Sequence, residues 1–204
     1  MNEIEKLTEY FSKFPGIGPR QAKRFVYFLL IQPEKYSNEL SEMIKQTRKE
    51  SSSCSMCFRF FIPEDQTKKC PICLNKNRED DKIMVVSKDV DVESIEKSGI
   101  YKGYYFVLGG TLRALEKTSI NNIRGSQLTD RIKKEENLKE IILALPVHPD
   151  GDETARYITE LIKSETKNKI TVSTLGRGLS TGLEIEYSDK ETIKNALENR
   201  KNKI

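Results

Sequence analysis

Leu143-Ala144-Leu145-Pro146-Val147-His148-Pro149-Asp150-Gly151-Asp152-Glu153-Thr154 is the stretch on which the fold turns. A short apolar run meets a proline-rich turn. A helical pattern follows, with Thr154, Ile158, Leu161 and Ile162 on one face. The same alternation recurs on both sides of it. Upstream, Ile83-Met84-Val85-Val86 reads as a buried strand, residues 91–97 as a helix stopped by Gly99, and residues 104–108 as a strand ended by Gly109-Gly110. Ser126 is placed to cap a helix through Leu128 and Ile132. Residues 140–145 and 170–173 read as two further strands. Strands alternating with helices predict an α/β domain, a mostly parallel sheet with flanking helices.

An Asp-x-Asp beyond the carboxyl end of a parallel strand stands where such sheets place their sites. Asp150 and Asp152 could hold a magnesium ion. They could equally be helix N-terminal acids favoured by the helix dipole. His148 is the only histidine, in a loop, and no chemistry is assigned to it. Without a second histidine or a free reactive thiol, a nucleophile–base pair is hard to build, so no catalytic residue is expected.

Cys54-x-x-Cys57 and Cys70-x-x-Cys73 are two knuckles separated by twelve residues. Zinc prefers four soft ligands in a tetrahedron, and each pair can supply two thiolates. Pro63, Glu64 and Asp65 lie in the loop that turns the chain back. Four protein ligands leave no open position, so one structural zinc per chain is expected. Its binding could supply about 10–16 kcal/mol of folding free energy.

Before the cysteines the sequence is helical, with Ile4, Leu7, Phe11 and Phe14 at three- and four-residue steps. Pro15-Gly16-Ile17-Gly18-Pro19 interrupts it, and a second helix begins at Pro19 and stops before Pro33. A further amphipathic stretch carries Leu40, Met43 and Ile44. The amides around Gly16 and Gly18, at a helix start, can bind a phosphate oxygen. Arg20, Lys23 and Arg24 follow within one turn, and residues 13–33 contain four basic residues and no acid. The arrangement resembles a helix-hairpin-helix DNA-binding element, which grips the backbone and does not read bases. The hairpin could also support self-association.

The chain of 204 residues carries a net charge of only +4, so any nucleic-acid surface is a local patch. The longest apolar run, residues 25–31, is too short to span a bilayer and reads as a buried helix face. The acidic N-terminus shows no signal-peptide pattern, and the expected location is the cytoplasm, where thiols serve metals rather than disulfides. Four regions result: a helix-hairpin-helix at 1–50, a four-cysteine module at 51–81, an α/β domain at 82–176, and a C-terminal part at 177–204. The last holds a strand at 183–187 and a helix, for which Ser188 and Glu191 form a capping-box pattern.

The α/β region resembles the Toprim fold of topoisomerases, primases and some nucleases. In catalytic members a glutamate follows the first strand, but here Ser87-Lys88 stands there, with Asp89 and Asp91 out of register. A helix-hairpin-helix, a four-cysteine zinc module, a Toprim-like domain and a C-terminal strand and helix, in that order, resemble the RecR family of recombination mediators. The specific stretches are residues 14–24, 54–73, 104–110, Asp150-Gly151-Asp152-x-Thr154-Ala155 and 178–187. The chain departs from the family at Ser87 and Lys88, where acids are usual, and at Ser180 and Leu183, where proline and a second glycine are usual. The resemblance implies a non-enzymatic role, as a dimer or tetrameric ring around DNA, acting with RecO and in many bacteria RecF to help RecA onto single-strand gaps. It also implies that Arg20, Lys23 and Arg24 contact the DNA backbone, and that Asp150 and Asp152 lie on the surface that meets RecO. Two other readings remain open: a magnesium-dependent Toprim nuclease or primase-like enzyme, and a zinc-stabilised adaptor that binds only protein.

Overall fold

A computed structural model describes residues 1–113, 117–166, 169–182 and 184–200. The chain divides into two compact units, Met1–Ser51 and Ser52–Ile204.

The first unit is three helices: α1 (Glu3–Ser12), α2 (Pro19–Ile31) and α3 (Glu34–Glu50). Asn2 and Glu5 close a capping box on α1, each side chain accepting the other's amide at 2.9 Å. Pro19 opens α2, and Gln32 turns to extended backbone ahead of Pro33, as a residue preceding proline must. The core is small. Phe11 meets Phe14 and Phe25 edge to face, and only Ala22 and Val26 of α2 are buried.

The expected burial of residues 25–31 holds only in part: Val26 is buried, and Phe25 and Leu29 are half-buried. Tyr27, Phe28, Leu30 and Ile31 are exposed, Ile31 by 81%. A seven-residue apolar run spreads around the whole circumference of a helix, and α1 covers only one stripe of it.

The second unit opens with β1 (Ser52–Ser53) and β2 (Phe60–Phe61), a short antiparallel pair. A one-turn helix, α4 (Pro71–Leu74), follows. Next come β3 (Glu79–Val86), α5 (Asp89–Ser98), β4 (Gly103–Val107), α6 (Gly125–Ile132), β5 (Glu140–Ala144), α7 (Pro149–Thr166), β6 (Thr171–Thr174) and α8 (Lys190–Glu198). The order β4-β3-β5-β6 makes one sheet in which every pairing is parallel. Side chains alternate across it. Ile83 and Val85 face Leu128, Ile158 and Ile162 of α6 and α7, whereas Met84 and Val86 face Val92 of α5. Helices therefore cover both faces of the sheet, as the alternation predicts.

Three local expectations fail. Ser126 does not cap α6. The Arg124 amide donates to the Leu108 carbonyl at 3.0 Å, the helix starts at Gly125, and Ser126 falls inside its first turn. Ser188 does not cap α8 either. Asp189, one residue later, accepts from the Glu191 and Thr192 amides at 2.9 Å, and a carboxylate favours a helix start more than a hydroxyl does. Of the strand expected at 183–187, Leu183 lies outside the described residues, and Ile185–Tyr187 forms a 3-10 turn. An extended segment without a ladder partner would leave its amides unpaired, and the turn bonds Tyr187 and Ser188 back to Glu184 and Ile185.

Candidate functional site

The four cysteines come together. All are buried, and their sulfurs lie within 4.8 Å of one another, with Cys57 and Cys70 at 3.6 Å and no disulfide. A tetrahedron with metal–sulfur bonds of about 2.3 Å has edges of about 3.8 Å, so the spacing fits a thiolate-bound ion. The knuckle geometry is local. The Cys54 amide donates to the Arg59 carbonyl at 2.9 Å, and Phe58 takes a left-handed conformation (φ 62°) to turn the chain. The amides of Met56 and Cys70 donate to the Cys54 sulfur at 3.5 and 3.3 Å. Hydrogen bonds from Cys57, Cys70 and Cys73 hold the Cys54 thiol far below the ordinary thiol range, and the same sharing pushes Cys57 far above it. Sulfurs crowded in this way compete for protons in a space that a divalent cation can fill. Among the described residues this is the one cluster of three or more Cys, His, Asp or Glu side chains able to hold a metal.

The cluster is joined to the sheet. The Val107 amide donates to the Cys57 carbonyl at 2.8 Å, and Phe58 packs on Phe106 with ring centroids 5.3 Å apart. The Phe60 amide donates to Asp89 at the start of α5 at 2.6 Å. Arg124 lies over the Phe58 ring and donates to the Val107 carbonyl at 2.9 Å. The first knuckle thus occupies the amide at the end of the edge strand β4, Val107, which would otherwise be open to another chain.

In the hairpin, Gly16 has φ +74°, a conformation that glycine adopts without strain. Gly18 does not need that freedom, since its φ of −82° is open to any residue, and it serves as the N-cap of α2. No atom lies within 4 Å of where a Cβ would stand on either glycine, so the turn presents bare backbone. The unpaired amides of the first turn of α2 follow it directly. Arg20, Lys23 and Arg24 are all exposed, and among the described residues none of them is ion-paired. Lys13 is different: it pairs with Glu9 at 3.2 Å and sits over the Tyr10 ring.

The acid pair stands in the first turn of α7, beyond the carboxyl ends of the strands. Asp152 is ion-paired with Arg177, and His148 Nδ1 accepts the Gly151 amide at 3.3 Å, closing the helix start. Near the first strand, Ser87 donates its hydroxyl to Asp91 at 2.8 Å, and the Lys88 amide donates to the same carboxylate. Asp89 is held by Phe60. Hydrogen bonds therefore engage both acids nearest the missing glutamate position, locally at Asp91 and from Phe60 at Asp89, and no three-acid group forms among the described residues. Arg177 and the capping role of His148 escaped sequence reading. Arg177 is 25 residues from its partner, and a single histidine gives no pattern.

Thr154 locks this turn. Its buried hydroxyl donates to the Asp150 carbonyl at 2.6 Å and accepts the Leu112 amide at 2.8 Å. Thr154→Val keeps the shape and strands the Leu112 amide. It should cost about 1–3 kcal/mol in urea unfolding, and a loss below a few tenths would mean that the amide finds another acceptor.

A helical hairpin with a bare glycine turn, a buried four-cysteine cluster able to hold a metal and a parallel sheet with an acid pair at its carboxyl edge define a chain of Toprim type. The sequence pattern of the Toprim domain matches residues 81–175, that of the RecR helix-hairpin-helix residues 4–48, and that of the RecR C-terminal part residues 178–201. A protein named Recombination protein RecR from Dehalococcoides mccartyi is 38% identical over 199 residues, 98% of this chain and 94% of its own. Its namesake from Prochlorococcus marinus is 36% identical over 201 residues, 98% and 96% of the two chains. That from Lactobacillus johnsonii is 34% identical over 197 residues, 97% and 96%. The chain belongs to the RecR family of recombination proteins. No helix among the described residues is long and apolar enough to cross a membrane.

Proposed function

We propose that this chain is a cytoplasmic, non-enzymatic recombination mediator that grips DNA through its backbone, whatever the sequence. The observation that carries the reading is the bare Gly16–Gly18 turn beside three exposed, unpaired cations, Arg20, Lys23 and Arg24. The cysteine cluster holds one structural zinc, because four buried thiolates close its coordination sphere. Magnesium has no comparable set, since Asp152 is already neutralised by Arg177. Asp150 and Asp152 instead lie on the surface proposed to meet RecO, a role that family resemblance supports. Family resemblance supports RecF as a further partner and RecA loading at gaps as the task. The uncovered apolar faces of α2 and α3, with Tyr27, Ile31, Met43 and Ile44 exposed, support assembly into dimers or a tetrameric ring. Several modest patches on one ring would then act together on one duplex. The four regions at 1–50, 51–81, 82–176 and 177–204 divide these tasks.

Titration of the zinc-loaded protein against gapped duplex at several salt concentrations, with magnesium present, tests the reading. Binding should weaken steeply with salt and leave the DNA uncut. Replacing Arg20, Lys23 and Arg24 with alanine should lower the magnitude of the log–log salt slope by about 2 to 3 on duplex and weaken all sequences alike. An unchanged slope would remove the hairpin from the interface. Cut DNA would restore the Toprim enzyme, and no binding at any salt would favour an adaptor that binds only protein.

A further inference from the structure

We propose that Arg177 fastens the C-terminal part of the chain as a strap at the carboxyl edge of the sheet, and that a cationic segment of a partner takes its place at Asp152 and releases the strap. The strap begins where the sheet ends, since Thr174 is the last residue of β6 paired with β5. None of the described residues from 171 onward is buried, α8 included. Arg177 reaches two elements. Its guanidinium is ion-paired with Asp152 in the first turn of α7. Its carbonyl accepts the side-chain amide of Asn199, the residue that ends α8, at 3.1 Å. The next residue, Gly178, lies against the same helix, where an added Cβ would stand 3.8 Å from the Ala196 Cα. Leu175, Gly176 and Arg177 also wall a cavity of about 200 Å³, with Leu143, Leu145 and Ala155 among its other walls.

The pair is open to competition. The side chains of Arg177 and Asp152 are 32% and 51% exposed, and an exposed ion pair is weak and screened by salt. A weak contact suffices to hold a part that buries so little. The same weakness lets another cation displace it. A partner's lysine or arginine at the Asp152 carboxylate would repel the Arg177 guanidinium, so the two compete for one acid. Competition of this kind is reciprocal: a cation at Asp152 loosens the strap, and a fastened strap weakens the cation. Departure of Arg177 carries the Asn199 bond away from α7 and withdraws one wall of the cavity. The inference rests on the reading that Asp152 lies on a partner surface, and it adds that the chain's own C-terminal part guards that surface.

Native-state hydrogen exchange on full-length, zinc-loaded protein at constant ionic strength tests the proposal. Arg177→Gln and Asp152→Asn should each speed exchange of the α8 amides several-fold and leave those of β3 and β5 unchanged. Arg177→Lys keeps the charge and should recover part of the protection. Hexalysine serves as the cationic probe. It should speed α8 exchange in the parent protein, and it should bind several-fold more tightly to Arg177→Gln, in which no guanidinium competes for Asp152. Adding Asp152→Asn to that variant should abolish the gain, which separates the site from general attraction to the chain. RecO, measured on the same proteins, keeps the two readings apart: if hexalysine behaves as described and RecO does not bind, the strap stands and the choice of partner falls. Unchanged α8 exchange in Arg177→Gln and Asp152→Asn, or equal hexalysine binding by the parent and Arg177→Gln, overturns the proposal.

Discussion

Cys57→Ser is expected to yield a chain without stoichiometric metal, with residues 54–73 unfolded and the adjoining sheet edge loosened. The magnitude follows from the coordination chemistry. A four-cysteine zinc site is worth about 10–16 kcal/mol, and a whole domain is stable by only about 5–15 kcal/mol. Losing one ligand therefore removes a large fraction of the total. The damage should also spread. The Cys57 carbonyl accepts the Val107 amide, and Phe58 packs on Phe106, so the knuckle and β4 share bonds. Hydrogen exchange should show lost protection at Val107 as well as in the knuckles, whereas the helices of Met1–Ser51 should keep theirs. Metal content by mass spectrometry, measured on the same samples, links the two effects. If the variant keeps its exchange pattern while losing metal, the cluster does not hold the fold together.

The contrast between these elements explains what could be read from sequence. Ile83 to Val86 announced a buried strand because both of its faces are covered, and a run without alternation is the direct record of that. The cysteine spacing announced a candidate ligand set because the geometry of four sulfurs is local to two short turns. Residues 25–31 misled, since apolar character states what a helix would bury and not whether anything within the chain covers it. Ser126 and Ser188 misled for another reason: each is a sound cap, but a neighbouring residue begins the helix first, Arg124 through its bond to Leu108 and Asp189 through its carboxylate. The pairing of Asp152 with Arg177 joins residues that only the fold brings together, and no local pattern could carry it. Sequence reading therefore found the acids and the thiols, but not the cations that decide how the acids behave.

Gly151→Ala is the substitution that should show how tightly the acid turn is built. A Cβ added at Gly151 would stand 1.9 Å from the Pro146 carbonyl oxygen and 2.9 Å from its carbon. Both are backbone atoms, so no side chain can swing aside, and β5 or the start of α7 must move. Overpacking at a rigid site costs about 1–3 kcal/mol and sometimes more, and this contact belongs at the upper end. Gly110→Ala is the matched control, because nothing lies within 4 Å of its Cβ position. In urea unfolding the first should lower stability by about 3 kcal/mol and the second by well under 1. The displaced turn carries Asp150, Asp152 and the Thr154 bond to Leu112, so the acidic surface should be lost along with stability. Asp152→Asn separates the two effects, since it removes the charge and leaves the backbone in place. If binding of the proposed partner RecO falls in Gly151→Ala but persists in Asp152→Asn, the shape of the turn matters more than that charge. If it falls in both, the glycine's role is to hold the carboxylate where that partner would meet it.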